Sequence, residues 1–225
     1  MNFYKYESYK LLSKALVSIF KQFIENNEKS FILSGGSSPK QFLRYLAQER
    51  LDWSEISLIL SDERLVIPTD TKSNYRFIKT NLLDRISKKR KPKLFPLLNS
   101  NSINKKYLLE KINLSYKKFP RPETAFIGVG SDGHFASIFT NSIKSKNSFG
   151  YFLAKKEDEN FKRISLTIDN FLSCRNIFLL IHGEGKESIL SKILDLEEKN
   201  HIPILYFLSK FKGDVNVYTD VKINS

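Results

Sequence analysis

Two kinds of apolar pattern alternate along the chain. Over residues 4–27 apolar side chains recur at helical spacing (Tyr4, Leu11, Leu12, Ala15, Leu16, Ile19, Phe20, Phe23 and Ile24), which predicts an amphipathic helix ended by NNEKS at 26–30. FILS (31–34) is a short continuous apolar run, predicted as a buried strand that opens into GGSSP at 35–39. Ser38 then suits a helix cap and Pro39 a first turn, with the helix running through KQFLRYLAQER. ISLIL (56–60) predicts a second strand, closed by SDER at 61–64. Helices are predicted over 75–86 and 103–118, separated by the charged connector SKKRKPKLFP. TAFIGVG (124–130), RISLTI (163–168) and NIFLLIHG (176–183) supply further strands, and 184–198 a further helix. VNVYTD (215–220) is the last β-rich segment.

Strands that are apolar on both faces and alternate with helices have to be covered on both sides. The pattern therefore predicts an α/β fold: three layers, a mainly parallel twisted sheet with helices on both faces, Rossmann-like. No internal repeat or long linker interrupts it, so residues 1–225 are expected to form a single domain.

Composition narrows the function classes. With 41% hydrophobic residues the chain can bury a real core. No apolar run approaches the roughly 20 residues that cross a bilayer, and the N-terminal segment is broken by charges and lacks a small-residue cleavage site. Cys174 is the single cysteine, which rules out an intramolecular disulfide and a cysteine-based metal site. A cytoplasmic protein is expected, with no membrane partner. The formal net charge is +13, mostly lysine spread along the chain. No recognition-helix or aromatic-rich basic strand accompanies it, so nucleic acid is not an expected partner. A positive field does raise the encounter rate with an anionic substrate.

The chemistry-bearing residues gather at strand ends, where open parallel sheets bind ligands. After the first strand comes Ser34-Gly35-Gly36-Ser37-Ser38-Pro39. Its glycines permit close backbone approach and its N–H groups favour an anion, but it lacks the Lys-Ser/Thr pair of the nucleotide P-loop. After the second comes Ser61-Asp62-Glu63-Arg64, whose guanidinium suits a carboxylate, a phosphate or a developing oxyanion. After the third comes Gly128-Val129-Gly130-Ser131-Asp132-Gly133-His134. There Asp132 can set the tautomer of an imidazole able to exchange a proton near neutral pH. The histidines at 134, 182 and 201 show no metal-ligand spacing, and neither a metal nor another cofactor is expected.

In this order the clusters resemble the 6-phosphogluconolactonase family, within the larger group that includes glucosamine-6-phosphate deaminase/isomerase. LSGGSSP (33–39) is similar to the family's glycine-rich phosphate loop, and SDERLV (61–66) with SNYRFIKTNLL (73–83) to its Asp-Glu-Arg segment and Ser-Asn helix. GVGSDGHFASIF (128–139) is similar to its Gly-x-Gly-x-Asp-Gly-His signature, while RISLT (163–167) and HGEGK (182–186) match weaker elements. Phe135 stands where threonine is usual and is expected to reshape a pocket wall. The deaminase branch carries a catalytic glutamate where this chain has Phe139, and typically Asp-Glu-Tyr where it has Asp62-Glu63-Arg64.

The resemblance implies hydrolysis of a phosphorylated sugar lactone, 6-phospho-D-glucono-1,5-lactone, in the oxidative pentose phosphate pathway. His134 would be the general base and Arg64 the oxyanion partner, held respectively by Asp132 and Asp62. The phosphate would lie on Gly35, Gly36, Ser37 and Ser38, with Lys186 and Arg163 as counter-charges. The alternatives are a deaminase/isomerase-type enzyme and a non-catalytic sugar-phosphate sensor. A monomer or small homo-oligomer is expected.

Overall fold

The fold is that of a computed structural model, which describes residues 1–87, 91–99, 107–143, 149–157, 159–195 and 201–222. Its centre is four buried strands, β2 (Ser30–Leu33), β3 (Ser57–Leu60), β6 (Thr124–Gly128) and β9 (Asn176–Ile181). β2 and β3 are buried at every residue, as continuous apolar runs require when both sheet faces are covered. Outside them lie β1 (Asn2–Lys5), β10 (Asp214–Thr219) and the two-residue β5 (Lys93–Leu94). The seven strands run in the order β1-β10-β9-β6-β2-β3-β5, every pairing parallel. This is the expected mainly parallel sheet.

The order also determines where the helices go. From β1 the chain passes through α1 (Tyr9–Glu25) to β2, through α2 (Lys40–Leu46) to β3, and through α3 (Asn74–Asn81) to the β5 edge. It then returns through α4 (Leu108–Tyr116) to β6 and steps the other way, to β9 and, through α6 (Glu187–Leu194) and α7 (Pro203–Lys210), to β10. Right-handed crossovers in opposite directions lay their helices on opposite faces, which gives three layers. α1 packs on α2, and α2 on α3. The direction reverses between β2 and β6, which are hydrogen-bonded neighbours. Loops leaving this pair diverge, and a crevice opens beyond their carboxyl ends.

Several elements depart from the sequence pattern. Residues 2–5 form β1 rather than the start of a helix, because Ser8 caps α1: its side chain accepts the Leu11 N–H at 3.4 Å. Asp62–Arg64 is itself a strand, β4, and 162–166 does not join the main sheet. Instead β4, β8 (Lys162–Leu166) and β7 (Tyr151–Lys155) make a small antiparallel sheet in the order β4-β8-β7. The short α5 (Ile168–Leu172) follows β8, and neither it nor α7 is predicted from the pattern. The helices expected over 103–118 and 184–198 are seen as α4 and α6, and positions 103–106 and 196–198 lie outside the described residues. None of the described helices is long and apolar enough to cross a membrane.

Candidate active site

The loops after β2 and β6 carry the glycine-rich segment and the Asp-Gly-His segment, and the sheet order places them side by side. β3, next to β2, leads into β4, and β9, next to β6, leads into the turn bearing Lys186. Four adjacent strand ends therefore supply one cavity of about 170 Å³. Its lining includes Gly35, Gly36, Ser37, Ser38, Asp62, Arg64, His134, Arg163 and Lys186. Of the ten residues singled out in the sequence, nine come together there.

The tenth, Asp132, stands behind His134. Its Oδ1 lies 2.5 Å from His134 Nδ1 and accepts the His134 backbone N–H at 3.1 Å. With Nδ1–H committed to a carboxylate, the lone pair available for a proton is on Nε2. The imidazole keeps 28% of its side-chain surface exposed, so water and substrate reach it. Its partnership with His134 holds the Asp132 carboxyl well below the usual carboxylate range, against the opposing effect of partial burial. Gly130 makes the pair possible: a Cβ there would lie 2.2 Å from His134 Nδ1 and 2.6 Å from Asp132 Oδ1.

Asp62 does not hold Arg64, contrary to expectation. Its side chain is almost wholly buried, and its Oδ2 accepts the Ser137 hydroxyl at 2.6 Å and lies 3.6 Å from Arg163 Nη1. Its Oδ1 accepts from Ser61 Oγ at 3.0 Å and Asn74 Nδ2 at 3.1 Å. Asp62 and Arg64, two apart on β4, share a strand face and both line the cavity. The Asp62 carboxylate, however, is taken up by Ser61, Asn74, Ser137 and Arg163, the residue opposite Arg64 across β4 and β8. Arg163 is 6% exposed and is clamped by both oxygens of Glu159 as well as by Asp62. Arg64 donates from Nη1 to the Lys72 carbonyl at 2.7 Å, while its buried Nε makes no hydrogen bond. Two guanidiniums thus lie side by side, and only one has its carboxylate clamp built in.

Glu63, given no role in the sequence, is the staple of this corner. Its carboxylate accepts the backbone N–H groups of Arg64, Asn74 and Tyr75, each at 2.7 Å, and the Ser73 hydroxyl at 3.0 Å. Burial pushes its pKa up, against four donors that favour the charged form. Asn74 was also missed as a wall residue. A Cβ on Gly35 would meet Asn74 Oδ1 at 2.1 Å, so glycine at 35 is what lets α3 and the glycine-rich loop close on each other. The signal was the polar Ser73-Asn74 pair at a helix start, which reads as capping alone.

Three other expectations change. Ser38 is 8% exposed and faces the cavity; it does not cap α2, whose N-cap position is Pro39 with no side-chain bond. Phe135 does not reshape the pocket: it is fully buried, with its ring 5.2 Å from those of Phe171 and Phe207. Its neighbours His134 and Ala136, the latter held at φ 50°, line the cavity instead. Lys186 reaches back across the crevice and donates to the Val129 carbonyl at 2.6 Å. Burial lowers its pKa, and nearby Asp132 partly offsets that.

A site of this kind offers a base of fixed tautomer, three cations against one carboxylate, and a loop of glycines and serines. A sequence model for glucosamine-6-phosphate isomerases/6-phosphogluconolactonase matches residues 6–216. The chain belongs to that family. A 6-phosphogluconolactonase of Helicobacter pylori (strain ATCC 700392 / 26695) is 28% identical over 222 residues, covering 96% of this chain and 96% of that protein. Among solved structures, a 6-phosphogluconolactonase from Shewanella baltica OS155 superposes with a TM-score of 0.79 at 24% identity, covering 97% of both chains. A monomeric glucosamine-6-phosphate deaminase superposes with a TM-score of 0.81 at 20% identity, again covering 97% of both. The fold is common to both activities, so the choice between them rests on side chains.

Proposed function

We propose that the protein hydrolyses 6-phospho-D-glucono-1,5-lactone to 6-phospho-D-gluconate, the lactone-opening step of the oxidative pentose phosphate pathway, as a single-domain cytoplasmic enzyme. The observation that carries this reading is the Asp132–His134 pair facing, across one cavity, a cationic wall and a glycine-serine loop. His134 Nε2 removes a proton from water as the oxygen attacks the lactone carbonyl carbon, a contribution of ~100- to 10,000-fold. The carbonyl π electrons move onto oxygen, and the Arg64 guanidinium stabilises the resulting oxyanion. Collapse breaks the bond from that carbon to the ring oxygen, and the imidazolium returns the proton to the leaving alkoxide. Asp132 keeps the ring in the required tautomer throughout.

The phosphate lies on Gly35–Ser38 with Lys186 and Arg163 as counter-charges, and this anchoring orients the carbonyl over His134. Arg163 is suited to a fixed counter-charge because Glu159 and Asp62 hold it in place. Deamination of glucosamine 6-phosphate is disfavoured by Phe139. Its apolar ring, 7% exposed, lies 5.2 Å from that of His134, where a proton-relaying glutamate would be needed.

The test is a pair of assays on the wild-type protein: turnover of freshly generated lactone, corrected for spontaneous opening, and ammonia release from glucosamine 6-phosphate. Lactone turnover without ammonia is expected. Ammonia release would move the chain to the other branch, and phosphosugar binding without either reaction would make it a sensor.

A further inference from the structure

Tyr9, the first residue of α1, is outside the cavity lining, yet two carbonyls of the glycine-rich loop and one N–H of α2 converge on its hydroxyl. The oxygen accepts the N–H of Gln41 at 3.0 Å. Its own proton goes to the Ser38 carbonyl at 2.7 Å, with the Ser37 carbonyl at 3.0 Å sharing it. α2 has no side-chain cap of its own, so this phenol stands in for one. It also keeps two carbonyls turned toward α1. A carbonyl swung into the cavity would present negative charge to an anion and would remove the N–H groups that bind one.

The phenol is itself fixed. Its ring stacks on His182 with centroids 3.5 Å apart and planes 8° from parallel. His182 directly follows β9, and its Nδ1 lies 2.8 and 3.0 Å from the carboxylate oxygens of Asp220, directly after β10. His182 also begins the Gly183-Glu184-Gly185 turn that delivers Lys186. Both glycines of that turn have positive φ, +96° and +73°, with open space where a Cβ would point, so the turn gains little packing of its own. Burial raises the Tyr9 pKa, which keeps the donor protonated.

We propose that Tyr9, His182 and Asp220 form a strut that positions both halves of the phosphate cradle, the Gly35–Ser38 loop and the Lys186 turn, and so sets substrate affinity without touching substrate. These are positioning residues, and the inference rests on the phosphate placement given under Proposed function.

The experiment compares wild type, Tyr9→Phe, His182→Ala and the double variant. Tyr9→Phe keeps the stack and removes the hydroxyl. The measurements are kcat and KM for the phosphorylated lactone, inhibition by inorganic phosphate, and the melting temperature. Each single variant is expected to raise KM and the phosphate inhibition constant about tenfold, with kcat within about twofold and little change in melting temperature. The double variant should be little worse than the weaker single one, since both break one linkage. If kcat falls as much as KM rises and the melting temperature drops, the residues are merely structural and the strut is refuted. If phosphate inhibits wild type and Tyr9→Phe equally, the strut alone is refuted. If it does not inhibit wild type, the phosphate placement fails and the strut with it. Should His182→Ala not fold, Tyr9→Phe decides by itself.

Discussion

Gly130→Ala adds one methyl group beside Asp132 and His134, the pair proposed to carry the proton transfer. The new Cβ would sit 2.2 Å from His134 Nδ1, 2.4 Å from Cε1 and 2.6 Å from Asp132 Oδ1. Carbon packs comfortably at about 3.5–4.0 Å, so the imidazole must retreat by roughly 1 Å or more. That movement breaks its 2.5 Å contact with Asp132 and takes Nε2 away from the attacking water. Misplacement on this scale costs on the order of 100-fold in turnover. The backbone does not object, because Gly130 is not among the glycines with positive φ. Restricting the unfolded chain offsets any local strain by about 0.4–1 kcal/mol. The expected result is a roughly 100-fold loss of kcat on freshly generated lactone, with circular dichroism and melting temperature close to wild type. A folded variant whose kcat lies within threefold of wild type would show that the His134–Asp132 geometry does not limit the reaction.

Two further outcomes concern the far end of the sheet. Glu28 is half-buried, with Oε1 lacking a hydrogen bond and Oε2 accepting from Thr124 at 3.0 Å, and burial raises its pKa to about 7. A folded-state pKa above the unfolded value means that stability is fully present below about pH 4.5 and is lost as pH rises through 7. The whole shift corresponds to ~3 kcal/mol, which solvent screening reduces to roughly 1–2 kcal/mol. Glu28→Gln should therefore match wild type in urea denaturation at about pH 4 and exceed it by that amount at about pH 8.5; equal gains at both pH values would refute the assignment. Cys174 is 5% exposed and its thiol is pushed up to about 12. A disulfide reagent should label it at pH 8 only at the rate of unfolding, and rapid labelling of the native protein would contradict its burial.

The sequence made the central strands legible because a strand buried on both faces needs an uninterrupted apolar run, as in FILS and ISLIL. It also pointed to the strand ends as the site, since charge and glycine directly after such runs are not what an apolar core asks for, although Glu63 and Gly35 prove to serve packing as well. What it could not carry was partnership. Asp62 meets Arg163, Ser137 and Asn74 through strand register and chain reversal, none of which leaves a local period. The strand Asp62–Arg64 was hidden because its burial is achieved by hydrogen bonds to charged groups rather than by apolar side chains. The Tyr9–His182–Asp220 linkage joins three segments that are far apart along the chain but adjacent in the sheet.

The most direct measurement is kcat/KM of His134→Ala on freshly generated 6-phosphogluconolactone, beside the wild type and corrected for spontaneous opening. An imidazole that takes the proton from water predicts a fall of ~100- to 10,000-fold with the fold retained. A folded His134→Ala protein that keeps more than a tenth of wild-type kcat/KM would contradict the account.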